Sequence, residues 1–189
     1  MKRICVYCGS NSGAKPEYLQ AAKQLGNVLA EKNIGLVYGG ASVGIMGEIA
    51  NAVTEQGGEV IGVIPQTIAE KKNITFTGLS DLRVVGTMHE RKALMAELSD
   101  GFIAMPGGFG TFEEFFEILT WAQLGLHKKP CGVLNVCQYF DKLMAFLQHA
   151  SDNQFIKEEH CSMVLVDERP ELLLEKLGEY QAPETGKWI

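Results

Sequence analysis

The segment from Pro106 to Glu114 combines a backbone suited to an anion with two carboxylates. It follows an apolar run, Gly101–Met105, that is typical of a short buried strand. Apolar residues then recur at helical spacing, which predicts a helix opening at the glycine turn. Free N–H groups in the first turn of a helix, together with its dipole, attract a phosphate. Because Glu113 and Glu114 lie in that same turn, the segment predicts a site that holds a phosphate beside a reactive carboxylate.

The same residues allow a purely structural interpretation. Thr111 and Glu114 have the spacing of a capping box, in which the threonine caps the helix and the glutamate returns to the N–H of the cap residue. Glu113 would then only complement the helix dipole. This segment by itself favours the structural interpretation, and only the rest of the chain favours the functional one.

Two adjacent cations, Arg91 and Lys92, lie near the start of another predicted helix. As a functional pair they would clamp a phosphate or substrate, because the guanidinium fork of arginine fits oxyanions. As a solvated face they would be neutralised by Glu90 or Glu97. The segment alone favours the solvated face.

Composition restricts the class of partner. The 189 residues carry a formal net charge of −6, with 46% hydrophobic and 21% charged residues, as in a soluble globular protein. A negative net charge argues against nucleic acid, whereas a small anionic ligand remains compatible. No apolar run approaches the roughly 20 residues of a membrane helix, and the start shows no signal-peptide pattern. The five cysteines, an odd number, fit a reducing compartment, so we expect a cytoplasmic protein without a membrane partner.

Common cofactor motifs are absent. Cys5 and Cys8 form a C-x-x-C without a matching second pair, so we predict no metal. The glycine loop at 39–47 follows the second predicted strand and lacks the spacing of a dinucleotide fingerprint. The next strand ends in Val63–Gln66, without the acidic residue that would hold a ribose. We therefore predict no cofactor, which disfavours an oxidoreductase.

Strands alternate with helices along the chain, and this alternation predicts βαβ units. Glycine-bearing loops at 9–13, 39–47 and 107–110 follow predicted strands, at the sheet edge where ligands bind in open α/β folds. Residues 66–80 are predicted as a polar connection. The expected fold class is α/β, a Rossmann-like doubly wound parallel sheet of about seven strands with helices on both faces. Residues 1–180 would form a single nucleotide-binding domain and 181–189 a C-terminal tail.

The motifs taken together resemble the Lonely Guy family, the cytokinin riboside 5′-monophosphate phosphoribohydrolases once labelled lysine decarboxylases. The resemblance covers nearly the whole chain. The segments that carry it are Cys8–Ser10, Tyr38–Gly40, Gly44–Gly47, Met88–Lys92, Pro106–Glu114 and Thr120–Gly125.

The resemblance implies cleavage of the N-glycosidic bond of an adenosine-type 5′-monophosphate by a homodimer or higher oligomer. It places catalysis on Arg91 and Glu114 and the phosphate on the 107–111 loop, with Thr111 donating. The residues that would contact substrate or phosphate are Ser10, Gly40, Met88, Lys92, Gly107, Gly108, Phe109, Gly110, Thr111, Glu113 and Thr120. One departure is Asn73, where plant members carry a glutamate before the Met-x-x-Arg-Lys segment.

Two alternative functions compete with the hydrolase on the sequence alone. A non-catalytic nucleotide carrier or sensor on the same fold would need the phosphate loops but no carboxylate beside the anomeric carbon. A lysine decarboxylase would need a Schiff-base lysine in a larger architecture, and the lysines here lack that context. The presence of both Arg91 and Glu114 favours the hydrolase.

Overall fold

The computed structural model describes residues 1–72, 79 and 81–183, and within them seven strands form one sheet. The strands are β1 (Arg3–Tyr7), β2 (Gly35–Tyr38), β3 (Val60–Pro65), β4 (Asp81–Val85), β5 (Gly101–Ala104), β6 (Cys131–Leu134) and β7 (Val164–Asp167). Their order across the sheet is β4-β3-β2-β1-β5-β6-β7, and every neighbouring pair is parallel. The predicted doubly wound parallel sheet is confirmed.

Helices cover both faces of this sheet. They are α1 (Pro16–Glu31), α2 (Gly44–Glu55), α3 (Gln66–Lys72), α4 (Met88–Leu98), α5 (Phe109–Gln123), α6 (Asp141–Asp152), α7 (Glu158–Cys161) and α8 (Pro170–Glu179). Alternate residues of β1 therefore serve two cores: Ile4 and Val6 pack with α1, α2 and α8, whereas Cys5 and Tyr7 pack with α4 and α5. Because both faces are buried, the central strands are continuous apolar runs.

The prediction for residues 66–80 is wrong at its start, where α3 occupies Gln66–Lys72. This helix has only seven residues, too few for helical periodicity to appear in the sequence. Its first turn contains a bond of 2.7 Å from the Gln66 amide to the Glu70 carboxylate. Residues 73–78 and 80, and residues 184–189 of the predicted tail, lie outside the described residues.

None of the helices in the described ranges combines the length and hydropathy that crossing a membrane requires.

Candidate active site

A cavity of about 470 Å³ opens where the winding of the sheet reverses, at the carboxyl ends of β1 and β5. From β1 the chain winds outward to β4, and from β5 it winds the other way to β7. Such a switch point leaves a crevice because the loops on its two sides diverge. The cavity volume lies within the roughly 300–1,000 Å³ usual for small-molecule sites.

Backbone hydrogen bonds join the three predicted glycine loops around this cavity. The Gly9 N–H donates to the carbonyl of Pro106 at 3.0 Å, and the Gly9 carbonyl accepts from the Met46 N–H at 3.2 Å. The packing is tight enough that a β-carbon at Gly107 would collide with the Thr111 hydroxyl and lie 2.9 Å from the Gly9 nitrogen. Glycine is therefore required at 107 by crowding rather than by an unusual backbone angle.

Helix α5 begins at Phe109, two residues before the predicted cap at Thr111. Gly108 is the N-cap, and its carbonyl accepts from the Phe112 N–H at 3.1 Å. The N–H groups of the first turn, up to Thr111, precede this bond and have no carbonyl four residues back within the helix. The capping-box interpretation is wrong, because Thr111 and Glu114 both lie inside the helix.

A related cap lies at the start of α4, where Thr87 is the cap residue but the glutamate accepts from the residue before it. The Thr87 hydroxyl accepts from the Glu90 N–H at 3.1 Å, and the Glu90 carboxylate accepts from the Gly86 N–H at 2.8 Å. This cap fixes the first turn of α4, which carries Arg91 immediately after Glu90.

Arg91 and Glu114 form a buried ion pair between α4 and α5. The Nη1 of Arg91 donates to Oε1 of Glu114, and the two residues are 6% and 7% exposed. The Nε of Arg91 also donates to the carbonyl of Val63 at 3.0 Å, which anchors the guanidinium to β3. The solvated-face interpretation of Arg91 is therefore wrong.

Gly39 gives the guanidinium of Arg91 its space. A β-carbon at this position would collide with Nη2 of Arg91 and lie 3.2 Å from the sulfur of Met46. The Gly-Gly segment after β2 thus serves the ion pair as well as the turn.

The pKa of Glu114 is raised above the ordinary value of a glutamate. Burial is the largest cause, because a carboxylate loses hydration in the protein interior. The charge of Arg91 and its hydrogen bond act in the opposite direction and favour the ionised form. Glu114 is thus a carboxylate whose affinity for a proton is increased by its surroundings.

Lys92 belongs to a second ion cluster beside the first. Its Nζ contacts the carboxylate of Glu113 and donates to that of Glu117 at 3.0 Å. These contacts join α4 to α5 one position along from Arg91, and of the three residues only Glu113 lines the cavity.

Most of the predicted site residues line the cavity. They are Ser10, Met88, Arg91, Gly107, Gly108, Phe109, Gly110, Thr111, Glu113 and Glu114.

Three predicted residues lie elsewhere. Gly40, with φ of +77°, packs beneath its loop against Ile64. Lys92 is occupied by its two glutamates. Thr120 lies on the exposed side of α5, where its hydroxyl donates to the Phe116 carbonyl at 2.7 Å and borders a separate cavity of about 170 Å³. Asn73 lies outside the described residues.

Sequence reasoning did not identify two aromatic residues that line the cavity, Tyr18 and Tyr139. Tyr18 belongs to the apolar face of α1, and this obscured its second role at the cavity. Tyr139 lies in the turn before α6, which begins at Asp141. No local pattern in the sequence separates these tyrosines from core residues.

Within the described residues, no group of three or more His, Cys, Asp or Glu side chains is placed to hold a metal ion. Cys5 and Cys8 are buried in different cores of the sheet. Burial raises the pKa of both thiols.

Comparison with known proteins places this chain in a family. A family model described as "Possible lysine decarboxylase" matches residues 46–177. Cytokinin riboside 5′-monophosphate phosphoribohydrolase LOG7 of Arabidopsis thaliana is 48% identical over 180 residues, covering 95% of this chain and 82% of the relative. The chain belongs to the Lonely Guy family. The resemblance carried by the motifs is confirmed.

A second Lonely Guy relative gives the same picture. The probable cytokinin riboside 5′-monophosphate phosphoribohydrolase LOGL9 of Oryza sativa subsp. japonica is 49% identical over 179 residues, covering 95% of this chain and 78% of the relative. The older decarboxylase description does not fit the cavity, because no lysine lines it among the described residues.

Solved structures agree on the fold. The molybdenum cofactor binding protein from Rippkaea orientalis superimposes with a TM-score of 0.71 at 24% identity, covering 94% of this chain and 96% of that one. At this identity the likeness shows the fold alone.

Proposed function

We propose that this protein hydrolyses the N-glycosidic bond of adenosine 5′-monophosphates, with or without an N6 modification, releasing the free base (cytokinin or adenine) and ribose 5-phosphate. The observation that carries the proposal is a buried Arg91–Glu114 pair in the same cavity as the phosphate-type loop that opens α5. Relatives that are 48% and 49% identical to this chain are named as phosphoribohydrolases.

The first turn of α5 supplies the phosphate site of this proposal. The glycines at 107, 108 and 110 leave the backbone accessible, and a β-carbon at Gly108 or Gly110 would meet no atom within 4 Å. A phosphate here would accept from first-turn N–H groups and lie at the positive end of the helix dipole.

Glu114 follows Thr111 by three residues, close to one helical turn of about 5.4 Å. A nucleotide held by its 5′-phosphate on the loop would thus present its sugar to this carboxylate. When the bond from C1′ to the base nitrogen breaks, its electron pair leaves with the base and positive charge develops on the sugar. The carboxylate stabilises that charge and takes a proton from the attacking water, whose oxygen bonds to C1′. The departing base takes a proton from solvent, and Glu114 then releases to solvent the proton that it took, so the reaction consumes one water and leaves the carboxylate ionised.

Arg91 has two tasks in this scheme. It keeps the buried Glu114 ionised, since its charge offsets part of the desolvation cost. It also orients the carboxylate, because its own position is fixed by Val63 and by the space at Gly39.

Product release tests the proposal. Purified protein is incubated separately with AMP and with isopentenyladenosine 5′-monophosphate, and free base is followed by chromatography. Base should appear with the wild type but not with Glu114→Ala prepared in parallel, and the ratio between substrates measures the preference for a modified base. Nucleotide binding without release of base from either substrate would contradict the hydrolase and support a carrier.

The pH dependence of turnover follows from the Glu114 pKa. The ionised carboxylate is the active form and burial raises its pKa, so kcat should fall as pH decreases through a value above that of an ordinary glutamate. The measurement is kcat at saturating substrate. The substrate phosphate has a second ionisation near pH 6 that affects binding, and saturation removes this effect from the measured rate. A flat kcat down to the ordinary range of a glutamate would contradict the assignment.

We further propose a homodimer with the active sites near the subunit interface. Two apolar side chains at the mouth of the cavity, Phe109 and Met88, are 94% and 41% exposed, and a second subunit would cover them. Sedimentation equilibrium tests the proposal, and a monomer at all concentrations would contradict it.

A cytoplasmic location is also proposed. All five cysteines are free thiols, which fits a reducing compartment. Cell fractionation tests the location.

A further inference from the structure

Tyr139 makes a contact that the proposed chemistry does not use. Its hydroxyl donates to the carbonyl oxygen of Gly107 at 2.5 Å, across 32 residues of sequence. Gly107 belongs to the loop to which the proposed function assigns the phosphate, and the inference therefore rests on that function.

The contact fixes the orientation of a whole peptide unit. The Gly107 carbonyl and the Gly108 N–H belong to the same planar trans peptide, so they point in opposite directions. Holding the carbonyl toward Tyr139 therefore holds the N–H of Gly108 away from it. That N–H precedes those of the α5 first turn and extends the row of donors available to an anion.

This peptide unit needs an external restraint. Glycine on both sides makes rotation of the peptide plane easy, because no β-carbon restricts the backbone angles. At Gly108 an added β-carbon would meet nothing within 4 Å, so packing does not hold this residue. A rotated peptide would turn a carbonyl oxygen toward the phosphate and repel it.

The position of Tyr139 is itself determined by packing on both sides of its ring. The ring meets the buried Phe140 edge-on at 5.0 Å between centroids and meets Tyr18 edge-on at 5.9 Å. These contacts hold the ring without using its hydroxyl.

A strained turn directs the tyrosine to the loop. Cys137 and Gln138 adopt φ of 52° and 61°, left-handed angles that cost energy for residues with a β-carbon. The buried side chain of Asn135 stabilises the turn: its oxygen accepts from the Phe140 N–H at 2.8 Å and its amide donates to Asp141 at 2.7 Å.

We propose that Tyr139 is a positioning residue that locks the Gly107–Gly108 peptide in the phosphate-binding orientation. Its hydroxyl determines affinity for the phosphate of the substrate and takes no part in cleavage of the glycosidic bond. Tyr139 therefore acts on the substrate only through the loop.

The test is Tyr139→Phe, which keeps the ring and removes the hydroxyl. KM for the nucleoside monophosphate should rise about tenfold, the effect of losing one hydrogen bond of about 1.4 kcal/mol, while kcat stays within about twofold. The inhibition constant of ribose 5-phosphate should rise by the same factor. That of adenosine, which has no phosphate, should not change.

Two further variants separate positioning from general structure. Asp141→Ala, outside the cavity, removes the acceptor of the Asn135 amide and loosens the turn. It should raise KM for the nucleoside monophosphate and the inhibition constant of ribose 5-phosphate, each by a smaller factor than Tyr139→Phe does. Tyr180→Phe removes a hydroxyl outside the cavity and should change neither KM nor the inhibition constant of ribose 5-phosphate. Thermal unfolding of each variant establishes that it is folded.

An unchanged inhibition constant for ribose 5-phosphate in Tyr139→Phe would overturn the proposal. An equal loss of adenosine affinity would also overturn it, because the hydroxyl would then bind the nucleoside directly. If the wild type releases no base, the proposed function fails but the positioning role is still tested, since calorimetry must then show weaker AMP binding in Tyr139→Phe.

Discussion

Replacing Glu114 by glutamine should lower kcat for release of the base by roughly 10²–10⁴-fold. Glutamine has nearly the shape of glutamate and still offers an oxygen to Arg91, so the cavity keeps its form. It carries no charge to stabilise the developing cation and accepts no proton from water. The measurement is single-turnover release of base from a saturating nucleotide.

Binding distinguishes loss of chemistry from loss of the site in Glu114→Gln. Its affinity for ribose 5-phosphate should stay within a few-fold of the wild type, because the phosphate loop does not depend on the carboxylate charge. Glu97→Gln, an exposed change on α4 outside the cavity, is the matched control and should keep full turnover. Near-normal turnover of Glu114→Gln would show that another group carries the reaction.

Replacing Arg91 by methionine should lower the free energy of unfolding by about 3–5 kcal/mol at neutral pH. The substitution leaves the carboxylate of Glu114 buried without its countercharge, and it also removes the bond to the Val63 carbonyl. Arg83→Met is a matched control, because Arg83 pairs with Asp81 at 2.9 Å on the surface with both side chains 40% exposed. A surface pair of this kind contributes at most about 1 kcal/mol. Urea denaturation measures both variants.

The destabilisation of Arg91→Met should depend on pH. The pKa of Glu114 is already raised by burial, and removing the opposing charge of Arg91 raises it further. A carboxyl whose folded pKa exceeds its unfolded value destabilises the fold at high pH, and this penalty disappears as pH falls through the folded pKa. The deficit relative to the wild type should therefore shrink as the solution is acidified. Adding Glu114→Gln to Arg91→Met should recover part of the lost stability at neutral pH. A loss of stability that does not depend on pH would contradict the explanation by an unpaired charge.

The parallel sheet was predictable because each of its central strands is an apolar run bounded by glycine or proline. Strands buried on both faces need such runs, and glycines at their carboxyl ends mark the loops that meet at the switch point. The short polar helix α3 was missed because seven residues carry no helical period. The type of a secondary-structure element can thus be predicted from local sequence only where the element is long enough to show its period.

The threonine–glutamate spacing shows where local patterns fail. Thr87 caps α4, with Glu90 accepting from the N–H of the preceding residue, whereas Thr111 and Glu114, at the same spacing, lie inside α5. The difference arises because the glycine loop lets α5 begin two residues earlier, and because Arg91 occupies the carboxylate of Glu114. A hydrogen-bonding motif in sequence names a possible partner, and tertiary packing decides which partner is used.

The sequence alone determined the fold class and the family and predicted the loop at which a phosphate would bind, because each depends on residue types at short spacing. The tertiary structure decided that Arg91 is buried rather than solvated and that Lys92 is taken up by Glu113 and Glu117. It also brought Tyr139 to the carbonyl of Gly107, a contact that no spacing along the chain could indicate. These outcomes depend on how α4, α5 and the turn after β6 meet at one edge of the sheet. The burial of these side chains and the pairing of their charges arise only when those elements pack together.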